Sequence, residues 1–172
     1  TKLEYLQERL GLNDKQLSKM ILSMSSILGM SIKENIQPKL EYLQRRLSLD
    51  DKQLGKMMQR MPAIFNLNIE ENLEPKLEYL ETRLSLDEEQ LKKVVLSLPS
   101  VFSLSIEETL EPRLQYLQKR LSLDEEELSS LIQRLPSALT YNVDSNLEPK
   151  IQFFEDLLGG DKVRALICGC PA

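Results

Sequence analysis

Histidine and tryptophan are both missing from these 172 residues. Without histidine, imidazole acid–base catalysis and His-ligated metal sites are excluded within the chain. The only two cysteines, Cys168 and Cys170, sit together at the C-terminus. They cannot build a disulfide framework, which is the cysteine usage of an intracellular chain. No apolar run approaches the roughly 18 residues that a transmembrane helix needs. Glycine is scarce at six residues, and several of the eight prolines are regularly spaced. That leaves too little turn chemistry for a sandwich or barrel, which turns every ~8–12 residues. Positive charge is in the minority: 22 Lys+Arg against 27 Asp+Glu give a formal charge of −5. The balance argues against a protein whose whole surface binds nucleic acid. Hydrophobic residues at 41% and charged residues at 28% nevertheless exclude a disordered chain.

What the sequence does have is a repeat. Pro38-Lys39-Leu40-Glu41-Tyr42-Leu43 returns as Pro75-Lys76-Leu77-Glu78-Tyr79-Leu80 and as Pro112-Arg113-Leu114-Gln115-Tyr116-Leu117. A weaker form is Pro149-Lys150-Ile151-Gln152-Phe153-Phe154, and Lys2-Leu3-Glu4-Tyr5-Leu6 keeps the register backwards. Each step is 37 residues without insertion. A second proline keeps the same period at Pro62, Pro99 and Pro136. The chain therefore reads as one array over 1–172, with copies at 1–37, 38–74, 75–111 and 112–148 and a partial copy at 149–172.

Each copy divides into two helices and a connector. Leu77, Leu80 and Leu84 fall on one face of a first helix. Ser85-Leu86-Asp87 breaks it, and Asp87 with Gln90 has the spacing of a capping box, as do Asn13/Gln16, Asp50/Gln53 and Asp124/Glu127. Leu91, Val94, Val95 and Leu98 form the apolar face of a second helix that Pro99 ends. Val101, Phe102, Leu104 and Ile106 form an apolar connector with the pattern of a short 3₁₀ turn. Two starts for the first helix stay open. It begins at Pro75 and its equivalents, where a missing N–H costs nothing, or it begins earlier, at Asn68 or Ser105. The proline then lies about two turns in and should kink it. A unit of this size cannot bury its apolar face alone, so stacked copies give an all-α helical-repeat solenoid, a curved superhelix. Leu40/Leu77/Leu114 and Leu54/Leu91/Leu128 are expected to face the shared core. Both ends read as open, and the chain is expected to be a segment of a longer protein with any targeting sequence outside it.

The order of these elements resembles the mitochondrial transcription termination factor (mTERF) repeat. The residues that carry the resemblance are Leu121-Ser122-Leu123-Asp124-Glu125-Glu126, Arg134-Leu135-Pro136-Ser137-Ala138-Leu139 and Asn146-Leu147-Glu148-Pro149-Lys150. Cys168-Gly169-Cys170-Pro171-Ala172 looks like the next proline element, two residues early. The resemblance implies an all-α half-ring with two helices and a 3₁₀ turn per repeat and a basic face that binds nucleic acid. It implies a non-enzymatic protein of the mitochondrion or chloroplast, acting in transcription, RNA processing or ribosome assembly. It implies no cofactor, and double-stranded DNA or structured RNA as partner, with an organellar protein or ribosomal complex as a further one. No membrane insertion and a monomer are expected. The acidic balance departs from the family's basic groove. Charge is most favourable to a polyanion in copies one and two, which hold 5 basic against 4 acidic residues and 6 against 6. It is least favourable in copy three, with 4 against 8.

The candidate nucleic-acid contacts lie on the first helices. Lys39, Tyr42 and Arg46 stand at i, i+3 and i+7 beside the leucine face. The set recurs as Lys2/Tyr5/Arg9, Lys76/Tyr79/Arg83 and Arg113/Tyr116/Arg120, and Lys150/Phe153 begins the fifth. Stacked copies would align them into a ladder of cations and aromatics, a form suited to phosphates and bases. The alternative packs the tyrosines between neighbouring first helices and pairs the cations with Glu41, Glu78 and their like. The clusters Asp87-Glu88-Glu89 and Asp124-Glu125-Glu126-Glu127 read as dipole-matched helix starts rather than metal sites. Met20, Met24, Met30, Met57, Met58 and Met61 read as core filling rather than a soft binding surface. Cys168 and Cys170 read as free thiols. No nucleophile–base pair or phosphate-binding glycine loop is present. The rival to nucleic-acid binding is a protein-interaction scaffold on the same solenoid.

Overall fold

The computed structural model describes residues 1–160, 162 and 163. Cys168, Cys170 and the proline element read at residues 168–172 lie outside them. Among the described residues the chain is all-α, built from helix pairs joined by short turns, with no strand. It divides into two compact units, Thr1–Glu78 and Tyr79–Ala172. Unit 1 holds α1 (Lys2–Leu10), α2 (Asp14–Ser23), α3 (Gln37–Arg46), α4 (Asp51–Arg60) and the start of α5 (Glu74–Arg83). Unit 2 holds the rest of α5, then α6 (Glu88–Ser97), α7 (Glu111–Arg120), α8 (Glu125–Arg134) and α9 (Glu148–Leu158).

The tripeptide between the helices of a pair, Leu-Ser-Leu in copies two to four, does three jobs at once. Leu47 ends α3, and Ser48 turns into the left-handed region at φ 46°. The Leu49 N–H then donates to the Gln44 carbonyl at 2.9 Å, which satisfies a carbonyl left over at the helix end. Leu49 itself is buried, as are Leu12, Leu86 and Leu123. Copy one uses Gly11 at this position, φ 59°, where the backbone is unstrained without a Cβ. Ser85 and Ser122 repeat the positive φ of Ser48. The next residue but one starts the second helix. Asp50, Asp87 and Asp124 each accept the N–H three residues on, and the side chain there returns the bond. The acidic clusters are thus helix caps whose charge meets the positive end of the macrodipole.

Each second helix stops two residues before Pro62, Pro99 or Pro136, or before Ser25 in copy one, and gives way to a 3₁₀ turn: Ser25–Gly29, Pro62–Asn66, Pro99–Ser103 and Pro136–Leu139. The start of the first helix takes the earlier of the two places open in the sequence. Ser31, Asn68, Ser105 and Asn142 are N-caps whose side chains accept from the N–H three residues on. The first turn is then wide. The Ile36 N–H reaches back five residues to the Ser31 carbonyl at 3.1 Å, and the Gln37 N–H does the same to Ile32. The same π-helical turn occurs at Ile69–Leu73, Ile106–Leu110 and Val143–Leu147. One residue separates each from Pro38, Pro75, Pro112 or Pro149. A proline has no N–H to give and its ring crowds the carbonyl four residues back. One extra residue in the turn relieves both problems, so the effect of the proline appears as a wide turn before it.

The core follows the leucine pattern. Leu40, Leu77, Leu114, Leu54, Leu91 and Leu128 are all 0% exposed. Met20, Met24, Met57, Met58 and Met61 are buried too and fill core positions. In unit 1, α1 packs on α4, and in unit 2, α6 packs on α8. The approach is closest where a second helix passes the end of the first helix of the copy before it. In unit 2, Ser129 on α8 donates to the Leu84 carbonyl at 2.6 Å. In unit 1 the equivalent residue is Gly55, and a Cβ built there would fall inside van der Waals contact of the Leu10 carbonyl oxygen. Gly55→Ala is therefore expected to destabilise the protein by about 1–3 kcal/mol through overpacking. In an open helix the same change would stabilise by about 1 kcal/mol. Urea denaturation decides the sign, and a more stable Ala variant would overturn the close approach.

Candidate nucleic-acid interface

The first-helix tyrosines and arginines are engaged between copies. In unit 1 the Tyr42 hydroxyl donates to the Glu74 carboxylate, and Arg46 Nε donates to Glu74 Oε1 at 3.3 Å. In unit 2 Tyr79 and Arg83 hold Glu111 in the same way, with Nε at 3.1 Å. Tyr116 and Arg120 hold Glu148, with Nε at 2.9 Å. The glutamate is always the first residue of the next first helix, α5, α7 or α9, and immediately precedes its proline. The guanidinium reaches further, into the copy that follows. Arg83 donates to Gln118 at 3.0 Å and Glu125 at 2.6 Å, and Arg120 grips Glu155 through both terminal nitrogens at 2.9 and 2.7 Å. Arg9 in unit 1 donates to Gln44 and, at 2.9 Å, to Asp51. Tyr5 is half-buried beside it. The carboxylates used are Glu74, Glu111 and Glu148, whereas Glu41 takes the Gln37 side chain at 2.7 Å.

The first-helix cations that precede the tyrosines turn inward. Lys39 is 8% exposed and donates to the Phe65 carbonyl at 2.5 Å and to Asn35 Oδ1 at 3.0 Å. Lys2 and Arg113 likewise close on the carbonyls of Leu28 and Leu139, at the 3₁₀ turns of their own copies. Lys76 is half-buried on α5. Lys150 is exposed, bonded to Asn146 at 2.6 Å and 4.9 Å from the centre of the Tyr141 ring. The fifth copy breaks the pattern further on. Phe153 and Leu157 stand where copy four has Tyr116 and Arg120, and they are 61% and 64% exposed.

The electrostatics match these contacts. Burial, then the neighbouring glutamate, pushes the Tyr42 and Tyr79 hydroxyls far above the ordinary range, and Tyr116 up to about 12. Burial lowers Lys39. The Tyr79 hydrogen bond holds Glu111 below the usual carboxylate range, and Arg120 does the same for Glu148 and Glu155. A carboxyl lowered in the folded state adds stability above its unfolded pKa, about 4.3 for Glu. That stability is lost as pH falls through the folded value. The Glu111→Gln/Glu148→Gln double variant is expected to melt lower than the unchanged protein at pH 7. Its melting temperature should also fall less steeply between about pH 5 and pH 3. Thermal melts monitored by circular dichroism check both; parallel curves would remove the clamp's electrostatic role.

The cations that do face outward lie on the second helices of unit 1. Lys15 and Lys19 on α2, and Lys52 and Lys56 on α4, are exposed and one turn apart in each helix. None of the four pairs with a carboxylate among the described residues. Lys15 and Lys19 line an open groove of about 620 Å³ between α2 and α4, with Gln16, Ser23, Gln59 and Arg60 on its walls. The lysines are placed against local stability. Lys15 and Lys52 occupy the second position of their helices, at the positive end of the macrodipole. A cation there costs about 0.3–1 kcal/mol. Copies three and four carry Glu89 and Glu126 at this position, the residue type the dipole favours. In unit 2 the groove of about 540 Å³ between α6 and α8 is lined by Glu125 and Glu126, with Gln90, Ser129, Ser130 and Gln133. Charge counts by copy already marked copies one and two as the more basic part. The lysines of the second helices carry no aromatic spacing in the sequence that would single them out.

Repeated pairs of helices, each closed by a 3₁₀ turn and restarted by a wide turn before a proline, define an all-α helical-repeat protein. The model of the mTERF family matches residues 1–161, and the chain belongs to that family. A comparison with curated proteins finds no match.

Proposed function

We propose that this protein binds nucleic acid, as the mTERF family implies, without enzymatic activity of its own. Its place of action is the mitochondrion or chloroplast, in transcription, RNA processing or ribosome assembly. The observation that carries the reading is the set of exposed, unpaired lysines on α2 and α4, two of them kept where helix stability favours the opposite charge. Surplus cations held at a cost to local stability are a mark of function. Their exposure and spacing suit phosphates, which a backbone-tracking contact meets without reading sequence. The partner is double-stranded DNA or structured RNA. The first-helix Tyr–Arg pairs contribute indirectly, by holding neighbouring copies in register.

The test uses the swap that the repeat itself supplies. Lys15→Glu/Lys52→Glu places in copies one and two the residue found in copies three and four. The variant is expected to melt at a higher temperature and to bind more weakly. Fluorescence anisotropy with a 20-base-pair duplex and a structured RNA, over about 25 to 200 mM salt, should show the slope of log K against log salt flattened by about 2. Lys33→Gln/Lys119→Gln, which changes exposed lysines elsewhere, should leave the slope within about one contact of the unchanged protein. Equal binding by the Lys15→Glu/Lys52→Glu variant would overturn the lysine face. No salt-sensitive binding by the unchanged protein would overturn the nucleic-acid reading and favour the protein-interaction scaffold.

A further inference from the structure

The exposed faces of the second helices differ in charge between the two units. The groove between α2 and α4 presents Lys15, Lys19 and Arg60; the groove between α6 and α8 presents Glu125 and Glu126. The change is concentrated at one repeat position, the second residue of the second helix, which reads Lys15, Lys52, Glu89, Glu126 along the chain. The position one turn later reads Lys19, Lys56, Lys93, Ser130. The two grooves share a glutamine at the start of the earlier helix (Gln16, Gln90) and one on the later helix (Gln59, Gln133), and the rest of their lining differs; Glu126 lines the unit 2 groove, and Glu89 stands outside it on the start of α6. We propose that Glu89 and Glu126 are exclusion residues that keep a nucleic-acid backbone off unit 2 and confine the phosphate contact to unit 1. This rests on the nucleic-acid reading above and adds to it where on the array the contact stops.

The physical basis is simple. A phosphate drawn to a lysine at this position is repelled by a carboxylate there, and each exchange changes the local charge by two. The two glutamates are available for this role. Both are exposed; Glu126 takes no ion pair among the described residues, and Glu89 meets only Lys92, at 3.4 Å. Their neighbours differ in kind. Glu125 is held by Arg83 and belongs to the clamp, and Asp87 and Asp124 are spent on capping. Removing Glu89 and Glu126 therefore leaves both the clamp and the caps in place. With lysine at these positions all four second helices would present an exposed cation at the same repeat position. Charge at a single repeat position thus sets how many copies take part in binding, and so the partner length that is recognised.

The experiment is the reciprocal of the one above, on the full chain. Glu89→Lys/Glu126→Lys is expected to steepen the salt slope for the same duplex by about 2 and to raise affinity at 50 mM salt at least tenfold. Its melting temperature should drop slightly, because lysine now opposes the helix dipole. Glu89→Gln/Glu126→Gln removes the repulsion without adding a cation. It should raise affinity less, with the slope unchanged within about one contact, and it also serves if the lysine variant folds poorly. A gain in the lysine variant that survives Lys15→Glu/Lys52→Glu in the same chain shows that a second groove has been opened. If the unchanged protein binds in a salt-sensitive way and neither variant gains, the exclusion role is wrong while nucleic-acid binding stands. If the unchanged protein does not bind at all, both fail together.

Discussion

A pair of ten-residue helices buries one apolar side within the pair and leaves another that only a neighbouring copy can cover. Everything else in the protein depends on how neighbouring copies are held. Leucine at fixed positions provides the burial, but leucine contacts alone would let one copy slide or turn on the next. The Tyr–Arg pair of one first helix closing on the glutamate that starts the next first helix removes that freedom. The bonds are charge-assisted and partly shielded from water, so they hold direction as well as distance. The glutamate sits just before the repeat proline, after the wide turn. The wide turn, the proline and the clamp are therefore one device, and its register depends on all three.

That device engages many of the cations within the fold. Arginines that span two or three acceptors, and lysines that close on 3₁₀ carbonyls, have their donors committed inside the fold. The second helices join these contacts through Asp51 and Glu125, while their Lys15, Lys19, Lys52 and Lys56 pair with no carboxylate among the described residues. Their charges are set by the helix dipole, which asks for acid at the start, and by whatever the face must contact. Copies three and four follow the dipole; copies one and two go against it. The excess of acid over base is thus mainly caps, clamps and the unit 2 groove, and it coexists with a basic groove in unit 1.

The close passage of Gly55 and Ser129 shows the same economy. One repeat position must be small because a helix-end carbonyl lies beside it. Serine turns the closeness into a hydrogen bond, and glycine accepts it as bare backbone. Either solution keeps the second helix near enough for its leucines to reach the core.

Much was legible in the residues alone, because a repeat writes each local rule several times. The period, the helix pairs, the capping boxes, the 3₁₀ connector, the buried leucines and the family all follow from local pattern, whose causes lie within a few residues. Two matters were not local. The start of the first helix hung on whether the chain would spend an extra residue before the proline, and the wide turn answers it through bonds that the spacing does not display. The partners of Tyr42, Arg46 and their equivalents lie 28 to 32 residues away, at the start of the next first helix. A cation ladder and an inter-copy clamp have the same sequence spacing. Only the packing of one copy on another tells which of these side chains are engaged within the fold.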